Sequence, residues 1–280
     1  MGTKTCSPVC KRSRFRWNSV KKRNLFFNIV FSALGGLLIL FIVLPLLSIL
    51  LGTTPENLWL ALTDPQVLNS ISLTFSAAAM ATLLAIFTGV PLAFLLARRK
   101  FRGKRLLEAL VNLPIVIPHT AAGVALLLVF GRRGLLGQWL TPLGIAFTDN
   151  FAGVVVGMLF VSLPFLVNLS RESFALVDEE LERVALIDGA TPWQAFWYVS
   201  LPQAWRGVLA GALMMWARGI SEFGAVVILA YHPKIVPVLV FERFEGFGLA
   251  AAQPVAALLV LVALATFIFL RLSLLKESSE

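Results

Sequence analysis

Charge is scarce in this chain: Asp, Glu, Lys and Arg make up 14% of 280 residues, against 58% hydrophobic residues and a mean hydropathy of +0.85. A soluble domain with that composition would expose large apolar patches, so the water-soluble classes are excluded and the bilayer becomes the solvent. Cysteine is almost missing as well. The two present, Cys6 and Cys10, lie near the N-terminus without a nearby histidine and make no zinc site by themselves. The two histidines, His119 and His232, stand far apart with no HExxH pattern and no carboxylate cluster, so no metal is expected. A GxSxG nucleophile elbow is absent, and so is the GxxxxGK[ST] phosphate loop; "FRGKRLL" has the Gly-Lys pair but neither the preceding glycine nor the hydroxyl residue. A membrane enzyme is left without catalytic residues, and the chain does not hydrolyse ATP alone. Repeats, low-complexity linkers and the alternating strands of a membrane β-barrel are also lacking.

What is present is long apolar runs. A bilayer core about 30 Å thick needs roughly 20 apolar residues per helix, and six such runs occur, at about 26–51, 70–97, 106–130, 150–169, 204–230 and 249–271. This predicts an all-α integral membrane protein with six transmembrane helices: a basic tail over 1–25, then one membrane domain over 26–275. The first run is too long for a signal-peptide core and lacks a small-residue cleavage site, so it is expected to stay as a span. Lys and Arg collect in cytoplasmic loops. Eight fall in the first 25 residues and six more in "ARRKFRGKR" after the second run, which places both termini in the cytoplasm of a multi-pass protein in the cell (inner) membrane. The net charge of +9 is then topological, since the basic residues abut a span, and nucleic acid is not an expected partner.

Two spans are interrupted. The third contains "LPIVIPHTAAG", where Pro114 and Pro118 each remove a helix hydrogen bond just ahead of His119 and Thr120. This is either a packing kink with His119 bonded to a neighbour or a feature of the translocation path. In the fifth, Arg218 and Glu222 are four residues apart, able to pair on one helix face beside Ser221. They are read as a structural ion pair or as part of the path or its gate. Gly207 and Gly211 form a GxxxG stripe open to a helix of this chain or of a second subunit.

The remaining anomaly is the charged, aromatic stretch "LERVALIDGATPWQAFWYVSLP", on the cytoplasmic side by the same topology. Asp178 is an N-cap and Gly189 a left-handed stop, predicting a helix over 179–188. Thr191 and Gln194 make a capping box with Pro192 at the first helical position, predicting a second over 192–199. Trp193, Phe196 and Trp197 share one face of it. They serve either as an interfacial lipid anchor or, given the net negative charge around them, as a knob for a protein partner.

From Gly189, nine residues lead to Val199-x-Leu201-Pro202, and this resembles the EAA-x3-G-x9-I-x-LP motif of permease subunits of bacterial and archaeal ABC importers. Arg183 and Val184 occupy the motif's Glu and first Ala, with Glu182 one residue earlier and Ala185 matching. Over about 70–270, "LPIVIPHTAAGVALLLVFG", "FVSLPF" and "WARGISEFGAVVILAY" resemble the molybdate/tungstate permeases; sulfate/thiosulfate permeases share similar patterns and are the alternative, ahead of an ATP-independent carrier. The resemblance implies a type I ABC importer permease fold in which 178–202 is the coupling loop. It implies a homodimer docked on two cytoplasmic ABC ATPase subunits, which bind the ATP and Mg, and served by an extracytoplasmic oxyanion-binding protein. This chain itself would hold no cofactor. ATPase coupling would fall to Glu182, Arg183, Ala185, Gly189, Trp193, Phe196, Val199, Leu201 and Pro202.

Overall fold

A computed structural model describes the backbone over residues 9–276 and the side chains over 27–268. All regular structure in the described residues is helical. In chain order the helices are α1 (Val9–Leu51), α2 (Pro55–Thr63), α3 (Pro65–Arg98), α4 (Lys104–Val116), α5 (His119–Phe130), α6 (Gly137–Leu140), α7 (Phe151–Leu176), α8 (Glu179–Ile187), α9 (Pro192–Ala195), α10 (Leu201–Ile220), α11 (Gly224–Leu229), α12 (Val236–Phe247) and α13 (Leu249–Lys276). Leu58–Leu259 forms one compact unit, and the segments on either side of it form another.

α1 begins at Val9, so the backbone is already helical through most of the expected tail; the reading of Cys6 lies outside the described residues. Its Phe27–Leu51 portion has mean hydropathy 2.9 and is apolar on every side, as a helix solvated by lipid must be.

The expected six spans are not all matched by continuous helices. Phe27–Leu51, Pro65–Arg98, Phe151–Leu176 and Leu249–Ile268 are long and apolar enough to cross a bilayer, and α4 with α5 makes a fifth only if the pair, bent by 115° at its break, counts as one span. The physical reason is the Pro114/Pro118 pair: Pro118 holds extended backbone (φ −55°, ψ 133°) at the α5 N-cap, so the bend is a break rather than a kink. The expected fifth span, 204–230, is likewise divided. α10 stops at Ile220, and Ser221, Glu222 and Phe223 form an irregular turn before α11.

Small residues bring the helices of the Leu58–Leu259 unit together. α3 buries Ala77, Ala78, Ala81, Ala85 and Ala93, which lets α7 and α10 approach closely. The GxxxG stripe finds its partner within the chain: a Cβ on Gly211 would lie 3.1 Å from the Leu166 carbonyl oxygen of α7, and one on Gly207 would overlap the Ser173 hydroxyl. Gly211→Val is therefore expected to cost about 1–3 kcal/mol by overpacking, read as a lowered unfolding midpoint in detergent. Gly246→Ala, at a site where a Cβ meets nothing, is expected to leave the midpoint unchanged or raised.

Polar ties fix the ends of the unit. The Asp64 side chain caps α3 by accepting from Gln66 N at 2.8 Å and pairs with Arg243 of α12 at 2.5 Å. Burial alone would raise its carboxyl, but the Arg243 hydrogen bond and the Gln66 N–H outweigh it and hold the carboxyl below its usual value. Thr74 Oγ1 accepts from Val236 N at 2.9 Å, joining the start of α12 to α3.

Candidate functional site

Two groups of side chains stand out: one at the α8–α10 stretch and one where the broken helices meet.

Local sequence shapes the first. The Asp178 side chain accepts from Glu180 N at 2.9 Å and starts α8. A Schellman motif ends it: Ala190 N donates to Ala185 O at 2.9 Å and Gly189 N to Leu186 O at 3.2 Å, with Gly189 at φ +94°. The capping box of Thr191 and Gln194 is present with both reciprocal bonds. The second helix does not end near 199, however. Phe196–Ser200 is a π-helical turn, with Leu201 N donating to Phe196 O, and the chain runs on into α10. Pro202 offers no N–H to the carbonyl four residues back, and the turn ahead of it widens instead of breaking. Leu201 and Pro202 are therefore helical rather than loop residues, and half-buried Val199 lies in the π turn.

The aromatic face is split between inside and outside. Phe196 is buried, its ring 4.9 Å from Phe94 of α3 and 6.0 Å from Phe174 of α7, whereas Trp193 is 69% exposed and Tyr198 79%. The expectation that Phe196 serves as a knob gives way to a different role. It anchors the turn in the core, while Trp193, Trp197 and Tyr198 face outward. α8 buries none of its residues, and its Leu181, Val184 and Ile187 are exposed too.

At the motif's acidic position the structure separates two neighbours. Arg183 points outward and pairs with Glu179 at 3.2 Å. Glu182 turns inward, where its Oε1 accepts from Arg98 Nε at 2.8 Å and from Ser200 Oγ at 2.8 Å. Arg98 and Ser200 went unsighted in the sequence. Arg98 was one of six basic residues in a topological cluster and Ser200 the variable position of the motif, and no spacing rule links residues 84 apart.

The second group unites residues expected on separate spans. His119 is the first residue of α5, and Arg218 lies in the last turn of α10, with Glu222 just past it. Glu222 is fully buried; its Oε2 lies 2.9 Å from Arg218 Nη2 and 3.3 Å from His119 Nδ1, while Oε1 accepts from Ala225 N at 2.9 Å and caps α11. Arg218 Nη2 is also 3.0 Å from each of the two ring nitrogens of His119. Arg218 Nη1 donates to Ser221 Oγ at 3.3 Å. The Arg218–Glu222 pair forms as expected, but with Glu222 in the irregular turn rather than on a continuous helix face. Pro114 is buried in the last turn of α4, and Thr120 and Ser221 are exposed.

Backbone contact locks this meeting point. A Cβ on Gly224 would lie 2.7 Å from His119 Cβ, and one on Gly123 would lie 2.9 Å from Ala225 O. Two interrupted helices thus start side by side, and at their junction one N–H of α11 and one cationic side chain meet a buried carboxylate. Broken membrane helices of this kind place irregular backbone where protein or a water-filled path satisfies it.

Comparison with known proteins follows the same lines. Residues 89–276 match the model of the family described as binding-protein-dependent transport system inner membrane component. The molybdate/tungstate transport system permease protein WtpB of Pyrococcus furiosus is 45% identical over 243 residues, covering 86% of this chain and 92% of that protein. A probable sulfate transport system permease protein, cysT of Zygnema circumcarinatum, is 34% identical over 284 residues, covering 97% and 98%. A bacterial alginate ABC transporter, solved in complex with an alginate pentasaccharide-bound periplasmic protein, superposes with a TM-score of 0.71 over 90% of this chain and 94% of that one; at 15% identity it speaks for the fold alone. Shared sequence over nearly the whole length and a shared helical fold have one reading: the chain belongs to the family of binding-protein-dependent inner-membrane transport components, as an ABC importer permease grouped with the molybdate/tungstate permeases.

Proposed function

We propose that this permease carries molybdate or tungstate into the cytoplasm as a homodimer driven by two ATPase subunits, with both chain termini on the cytoplasmic side. The 45% identity to a molybdate/tungstate permease across 92% of its length carries the substrate reading, against 34% for the sulfate permease. The ATPase reading is supported by the exposed apolar residues Leu181, Val184, Ile187, Trp193 and Tyr198 on two short capped segments. Such residues gain little by facing water and suit a protein cleft.

In this reading ATP binding draws the ATPase subunits together and moves the coupling stretch with them. The two helix breaks are the hinge points, and the His119–Arg218–Glu222 cluster is the latch across them. Opening the path separates α5 from α11, which the cluster joins. Selection among oxyanions rests mostly on the external binding protein, because Glu222 neutralises much of the field of Arg218.

Reconstitution tests the whole reading. Proteoliposomes holding the chain, its ATPase and its binding protein are expected to take up molybdate or tungstate only with ATP, and faster than sulfate. Uptake of similar rate without ATP overturns the ABC mechanism; a preference for sulfate selects the other substrate.

A further inference from the structure

α8 buries none of its own residues, so something other than apolar packing must tie it to the membrane helices. The side chain that does so is Arg98, the last residue of α3, which is 8% exposed. Its Nη2 donates to Val177 O, the C-cap of α7, at 2.8 Å and lies 2.7 Å from Glu182 Oε1, while Nε donates to the same oxygen at 2.8 Å. Ser200, fully buried in the π turn that leads into α10, donates to that oxygen too, at 2.8 Å. One guanidinium and one carboxylate oxygen therefore join four elements. Directly beneath them Phe94, Phe174 and Phe196 pack edge to face or tilted, at 4.9 to 6.0 Å between ring centres, across α3, α7 and the π turn.

We propose that Arg98, Glu182 and Ser200 form a strap that transmits movement of the coupling helix α8 into the ends of α3 and α10. The proposal rests on the ABC-permease reading above and changes what the motif's acid does. Glu182 faces its own chain, and it acts as a positioning residue rather than as the contact to the ATPase. A charge-assisted network enclosed by protein resists stretching, because separating its members leaves each polar group unpaired. An exposed helix held by such a network moves with the spans to which it is strapped. Without it, α8 follows the ATPase while α3 and α10 lag behind.

The test uses the reconstituted transporter and reads oxyanion imported per ATP hydrolysed, a ratio that loss of protein alone does not change. Glu182→Ala is expected to keep ATPase association within about twofold of wild type and continued hydrolysis, while the ratio falls about tenfold. Ser200→Ala is expected to lower the same ratio less. Glu182→Gln, which can still accept from both Arg98 and Ser200, is expected to retain more than about half of it. Loss of ATPase association in Glu182→Ala, an unchanged ratio, or a Glu182→Gln as poor as the alanine variant overturns the strap. Should Glu182→Ala fail to insert, an unchanged ratio in Ser200→Ala overturns it. A wild-type protein without ATP-driven uptake overturns the permease reading instead.

Discussion

Truncating Trp193 to alanine is expected to weaken ATPase association by about 2 kcal/mol or more, roughly thirtyfold, as removal of an exposed aromatic anchor at an interface does. The folded chain is expected to keep its unfolding midpoint, because Trp193 is 69% exposed and its ring touches only the rim of the aromatic group, with Trp197 at 5.6 Å and Phe196 at 6.2 Å between ring centres. Phe196→Ala is expected to do the opposite. It removes a buried ring from between Phe94 and Phe174, and large-to-small changes of that kind cost about 3–5 kcal/mol. The two residues sit three apart on one short helical segment, yet one variant should be stable and unbound while the other should be unstable. Co-purification with the ATPase alongside thermal unfolding in detergent separates them. Association retained in a stable Trp193→Ala would favour the lipid-anchor reading of this face.

The second large effect concerns the latch. Arg218→Ala leaves the Glu222 carboxylate fully buried with its main cationic partner gone, and breaking a buried pair from one side costs about 3–5 kcal/mol. Replacing both members is expected to be gentler. In Arg218→Met with Glu222→Gln the charge is gone from both sides, and the Gln oxygen can still accept from Ala225 N as Glu222 does. The double variant should recover most of the stability. The two readings of the pair then diverge in uptake: a purely structural pair restores transport along with stability, whereas a latch that must hold and release leaves uptake down by about tenfold or more. Uptake at the wild-type rate in the double variant would show that the cluster only fixes packing.

These experiments probe contacts between parts of the chain far apart in sequence, which is where sequence reading and structure part company. Sequence by itself determined the membrane class from composition and the approximate places of the long helices from their apolar runs. It also determined the fine structure of the 178–195 segment: the Asp178 cap, the Gly189 stop and the Thr191–Gln194 box all stand as expected. Each of these depends on backbone preferences and hydrogen bonds within five residues, so the information is local. Proline marked the α4–α5 break and the π turn, though not the break at 221–223, but whether it kinks, breaks or widens a helix depends on what receives the freed carbonyls. Pro118 breaks one helix, while Pro202 follows a π turn inside another. Only the tertiary structure decided that Phe196 turns inward while Trp193 turns out, that Glu182 binds Arg98 while Arg183 does not, that the Gly207–Gly211 stripe packs on α7, and that His119 meets Arg218 from 99 residues away. Those outcomes follow from how the helices pack, and a helix face carries no sign of which partner will cover it. Burial and pairing are properties of the assembled bundle, whereas caps and turns belong to the chain.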